Sequence, residues 1–94
     1  MNYGIRVKTE RFAVFEDGHK GRTSVSISWH HNAWYNGMKA AKKDLHLIEL
    51  MLVEQLYDVT KVDGVTLKGA KECDYGGMLI GFEEHVTYHI EERW

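Results

Sequence analysis

The sequence predicts an α+β domain: an antiparallel β-sheet with one long helix packed on one face, in the order ββαββ. Three features of the chain point to it. Two segments near the N-terminus alternate apolar and polar residues around an Asp-Gly step. A central segment repeats apolar residues at steps of three and four. A second Asp-Gly step and a β-branched alternating segment follow.

In chain order, "GIRVK" places Ile5 and Val7 on one face. "RFAVFE" sets Phe12 and Val14 against Ala13 and Phe15, so both faces are apolar and a central or doubly covered strand is predicted. "EDGHKGR", with Asp17-Gly18, reads as a hairpin loop. "TSVSISWH" is the cleanest strand: Val25, Ile27 and Trp29 point one way, and Ser24, Ser26, Ser28 and His30 the other. Phe12 and Val14 are expected to share the face of Val25, Ile27 and Trp29, with Trp29 in the core.

A helix is predicted over residues 37–58, with Asn36 as its N-cap. Met38, Ala41, Leu45, Ile48, Leu52, Leu56 and Val59 form a stripe expected to cover the hairpin's apolar face. A second stripe, Leu50, Val53 and Tyr57, with Leu47 and Met51 nearby, makes the helix apolar nearly all round from Leu45 onward. Such a helix is buried on two sides. In so small a chain the second side is expected to meet another subunit or a target protein. "KVDGVTL" then reads as a tight hairpin, "KGAKECDYGG" as a loop, and "MLIGFEEHVTYHIEE" as a last strand bent or bulged at Gly81. Val86, Tyr88 and Ile90 share one face of it; Glu83, His85, Thr87, His89 and Glu91 share the other.

Residues 1–94 read as one domain, without repeat or linker. A hydrophobic content of 44% excludes a disordered chain, and no apolar run is long enough for a membrane span. The opening "MNYGIRVKTER" lacks the apolar core of a signal peptide, and Cys73 is alone. A cytoplasmic protein is therefore expected. Charge is uneven: residues 1–43 hold eight of the 12 Lys and Arg but three of the 14 Asp and Glu. A chain with opposite charge in its two halves matches it internally or between copies.

The densest candidate site is "SWHHNAWYNGMKAAKK". Lys39, Lys42 and Lys43 would crowd the first two turns of the helix, where like charges repel and cations oppose the macrodipole. That placement favours a nearby anion, either a partner's carboxylates or a phosphate. His30, His31, Trp34 and Tyr35 lie just upstream and can stack or donate hydrogen bonds. These seven residues form the candidate binding surface, and Leu50, Val53 and Tyr57 the candidate oligomer or partner interface. The alternative is a nucleic-acid or nucleotide/phosphate-binding module using residues 30–43, against which the net charge of −2 counts.

Catalytic signals are weak. His85 and His89 are four apart, the helical metal spacing, but in a strand their Cα atoms stand about 13 Å apart, at or beyond the span of one ion. A metal-dependent enzyme using them is the least favoured reading, and no metal or cofactor is expected. Cys73 is flanked by Glu72 and Asp74, which oppose a reactive thiolate. Ser24, Ser26 and Ser28 have strand spacing and no nucleophile-elbow glycines. No phosphate loop or dinucleotide fingerprint is present. The expectation is a small non-enzymatic binding protein that self-associates and acts by protein–protein contact. Chains of this size and plainness are frequent among phage and mobile-element accessory factors that inhibit a host enzyme or defence complex, in the host cytoplasm.

Overall fold

Strand β1 (Tyr3–Val14) and strand β2 (Lys20–Trp29) meet at the predicted turn, in a computed structural model that describes residues 2–73 and 81–94. The turn works through its Asp-Gly step. Gly18 sits at φ +85°, open to glycine without steric cost. The His19 N–H donates to the Asp17 carboxylate at 2.8 Å, and the Phe15 N–H to the His19 carbonyl at 2.9 Å. After β2 a single 3-10 turn, His30–Asn32, redirects the chain. His31 and Asn32 both take left-handed φ of 50° there. Tyr35 then pairs with Tyr3 through two backbone hydrogen bonds of 2.9 and 2.8 Å.

Helix α1 (Met38–Glu54) follows, then β3 (Asp58–Asp63), β4 (Thr66–Cys73) and β5 (Gly81–Glu92). The five strands form one antiparallel sheet in the order β2-β1-β5-β4-β3. The order along the chain is thus ββαβββ, with three strands after the helix rather than two. The added strand is β4, most of which falls in the segment "KGAKECDYGG" that reads as a loop. A Cβ at Gly69 would stand 3.1 Å from Val86, 3.3 Å from the Tyr57 ring and 3.4 Å from Leu52. The glycine admits close helix–sheet packing there and marks no turn. β5 holds unbroken register with β1 from Tyr3–Glu92 to Val14–Gly81, so no bulge interrupts that pairing. The expected start of this strand at Met78 lies outside the described residues.

The helix is shorter than expected at both ends. Gly37, at φ +116°, occupies the N-cap without a side-chain hydrogen bond, so Asn36 does not cap. At the other end Leu56 takes φ +66°, and the N–H groups of Gln55, Leu56 and Tyr57 donate to the carbonyls of Met51, Val53 and Leu52. Those bonds close the C-terminus and turn the chain into β3.

Ala41, Leu45, Ile48 and Leu52 pack on Ile5, Leu67, Val86, Tyr88 and Ile90. Each Leu, Ile or Val among them contributes about 1.5–3 kcal/mol on burial. Ile5 lies opposite Ile90, and Val7 opposite Tyr88, so two neighbouring strands present one continuous apolar face to α1. Val25, Ile27 and Trp29 lie opposite Glu10, Lys8 and Arg6, on the other face of the sheet. Phe12 and Val14 share that face with them, but the helix does not cover it. The expectation that α1 packs on Val25, Ile27 and Trp29 is therefore corrected. The broad face of β1 and β5 offers more burial than an edge strand. Among the described residues no helix is long and apolar enough to cross a membrane.

Candidate functional site

The aromatic–basic segment does not fold into one surface. Neighbouring residues face opposite ways: Trp29 and Trp34 meet Arg93, whereas His30 meets Tyr88 and Tyr35 meets Asp44 on α1. Trp29 is half-buried away from the helix, with the Arg6 guanidinium 3.9 Å from its ring and that of Arg93 4.7 Å away. It is therefore not part of the helix–sheet core. Arg93 also stacks on the exposed Trp34 at 4.1 Å. The Arg93 guanidinium is held in place by donating to the Ala33 carbonyl at 3.0 Å and to Asn32 Oδ1 at 2.6 Å. Two cations and two indoles thus form a ladder at the end of β2. Sequence reasoning missed Arg93 and Arg6 here, because their approach to Trp29 depends on the strand order.

Tyr35 turns toward α1 and donates its hydroxyl proton to Asp44 Oδ2. Burial raises its pKa above the ordinary value, and the Asp44 carboxylate adds to this. His30 is half-buried, edge-on to Tyr88 at 5.9 Å and stacked on His31 at 4.0 Å. Burial lowers its pKa below 6.5, His31 lowers it further, and Asp44 opposes both. The folded state therefore prefers neutral His30. Its contribution to stability is complete above the unfolded pKa and is lost as pH falls through the depressed folded value. His30→Gln is expected to flatten part of the fall in Tm between about pH 7 and 5. A thermal-melt series in which the two proteins decline in parallel would remove His30 as a contributor.

Lys39, Lys42 and Lys43 are exposed on the first two turns of α1, the first of which carries no acidic residue. The Asp44 carboxylate on the same helix is engaged by Tyr35. The ion pairs among the described residues join other side chains, and none includes these three lysines.

The second stripe is partly as expected. Leu47, Leu50 and Val53 are 54%, 53% and 57% exposed on the outer side of α1. Tyr57 leaves this stripe. It lies beyond the helix end, half-buried over Gly69, and donates its hydroxyl proton to Glu84 Oε1 at 2.9 Å. Burial, reinforced by Glu84, pushes its pKa up to about 12.

The face of the sheet away from α1 is polar and internally paired. Arg6 meets Glu91 at 3.3 Å, and Glu10 accepts from Arg22 at 3.4 Å and forms an ion pair with Lys8 at 3.6 Å. Lys20 holds the Glu83 carboxylate below its ordinary pKa, with His85 adding to the effect. His85 and His89 sit on a strand, as expected. His85 stands edge-on to Phe12 at 5.2 Å, and His89 Nδ1 lies 2.6 Å from the Thr66 hydroxyl. A shallow concavity of about 510 Å³ lies among Glu10, Phe12, Lys20, Lys68, His85 and Thr87. Exposed pairs of this kind contribute about 0–1 kcal/mol each. Among the described residues no three His, Cys, Asp or Glu side chains converge as metal ligands would. Cys73 is half-buried at the end of β4, opposite Phe82.

No protein-family model matches the chain, and no curated protein or solved structure matches it either.

Proposed function

We propose that this protein is a small non-enzymatic binding protein that self-associates and takes hold of a protein target through the outer side of α1. The observation that supports it most is the exposure of Leu47, Leu50 and Val53 on a helix whose opposite side already supplies the core. Three apolar side chains at steps of three make a continuous ridge. Lys39, Lys42 and Lys43 extend the same helix toward its N-terminus without a carboxylate partner among the described residues. The complementary target is an apolar groove bordered by carboxylates. Binding of this kind blocks the surface it covers, and we favour inhibition of a host enzyme or defence complex by a phage or mobile-element factor as its use.

Capture from host lysate followed by titration of the purified captured protein tests this. Leu50→Glu is expected to abolish binding at low and at high salt. Lys39→Glu with Lys43→Glu is expected to weaken binding mainly at low salt. A target that binds both variants as well as the wild type would overturn the proposal. The unpartnered lysines also favour a second reading, a phosphate or nucleic-acid ligand. That reading predicts binding of a labelled DNA duplex that falls steeply between about 50 and 200 mM salt. It also predicts loss on Lys39→Glu with Lys43→Glu and indifference to Leu50→Glu. Such a pattern would displace the protein target.

A further inference from the structure

The two edges of the sheet, β2 and β3, are built differently. β3 is six residues long, carries Asp58, Lys61 and Asp63, and slips register against β4 between Lys61 and Asp63. Shortness, charge and irregular register are the usual means by which an edge repels another strand. β2 is ten residues long, and residues 23–29 contain no charge and no proline. Its one irregularity, at Thr23, leaves Ser24 to Trp29 in unbroken register with β1. Helix α1 lies over β1, β3, β4 and β5. Val25 and Ile27 remain 47% and 61% exposed on one face of β2, and Ser24, Ser26 and Ser28 are exposed on the other.

The order Ser24, Val25, Ser26, Ile27, Ser28 reads nearly the same in both directions. Two copies laid antiparallel about Ser26 would set Ser26 against its own counterpart and Ser24 against the second copy's Ser28. Val25 would meet the second copy's Ile27. Opposed residues share a face, so apolar side chains meet on one face and hydroxyls on the other. A slip of one residue would oppose serine to isoleucine and lose both matches. Lys20 and Arg22 fall outside the paired segment, and Arg22 is already held by Glu10. No like charges are brought together.

We infer that β2 pairs with β2 of a second copy of this chain, about a twofold axis at Ser26, to form one ten-stranded sheet. The inference rests on the self-association proposed above and names the surface that carries it. Both α1 helices then lie on the same side of the joined sheet, with their outer ridges free. The assembly is bivalent toward its target.

Light scattering after size-exclusion chromatography, run over a wide concentration range, tests this. The wild type is expected at twice the chain mass of 10.9 kDa. Ile27→Lys, at an exposed position, is expected at half that mass with an unchanged circular dichroism spectrum. Leu50→Glu is expected to remain a dimer. Ser26→Cys, made with Cys73→Ser, is expected to crosslink on oxidation, because opposed Cα atoms in an antiparallel pair stand about 4.5–5.5 Å apart, within disulfide reach. A dimer that survives Ile27→Lys but is dissociated by Leu50→Glu would overturn the β2 assignment and leave self-association standing. A wild-type monomer at every concentration would overturn both.

Discussion

Leu52→Ala is expected to lower the unfolding free energy by about 3–5 kcal/mol, toward the upper part of the range for a buried leucine. Leu52 is 2% exposed at the end of α1, where the helix meets β4. Its neighbour across the contact is Gly69, which has no side chain to move into the space left behind. The Leu52 carbonyl also accepts the Tyr57 N–H at 3.0 Å, which holds the chain reversal beside the cavity in place. The site therefore has little freedom to collapse, and the cavity cost adds to the lost transfer energy. For a small domain, with total stability of about 5–15 kcal/mol, most of the margin would go. Urea unfolding measures it: the midpoint should fall with the m-value unchanged. Leu50→Ala, two residues away but solvent-facing, should stay within about 0.5 kcal/mol. A small effect at Leu52 would mean that α1 does not rest on β4 as described.

Gly4→Ala is expected to cost about 1–3 kcal/mol by overpacking. A Cβ at this position would lie 2.6 and 2.7 Å from two atoms of the Trp29 ring. Both approaches are shorter than van der Waals contact allows, so something must move. The indole has little room, because the Arg6 and Arg93 guanidinium groups stand 3.9 and 4.7 Å from its ring. Retreat of the ring would also loosen Arg93 from Trp34 and from Asn32. The expected signature is a lower Tm together with a changed near-UV circular dichroism signal from tryptophan. A variant as stable as the wild type, with the same spectrum, would show that Trp29 does not sit on Gly4.

How far these features were legible in the sequence depends on the range of the interaction. The turns at Asp17-Gly18 and Asp63-Gly64 were readable because they are closed by local hydrogen bonds, those of the Asp17 and Asp63 carboxylates. The inner side of α1 was readable from the spacing of Ala41, Leu45, Ile48 and Leu52. Alternation in β2 correctly separated Val25 from Ser24, but a period of two cannot say which face a helix will cover. That choice depended on the pairing of β1 with β5, a contact between distant segments. Residues 68–73 read as a loop but pair with β5, and Gly69 among them serves close packing against α1. The candidate binding residues were legible as exposed apolar and basic side chains on α1. Their separation from Trp34 and Tyr35 was not, because Trp34 stacks on Arg93 and Tyr35 turns to Asp44, contacts set by the folded arrangement and not by neighbouring residues.

The register that joins Tyr3 to Glu92 also governs when the fold can close. The centre of the sheet pairs the earliest strand with the last, so β1 has no β5 to join until synthesis has passed residue 92. At about 5–20 residues per second the hairpin and α1 wait for seconds with their apolar sides uncovered. During that interval β1 and β2 form a ribbon with two open edges instead of one. A nascent chain would be most prone to wrong pairing then, and chaperone protection of the emerging hairpin would matter more than for a protein whose core is local in sequence.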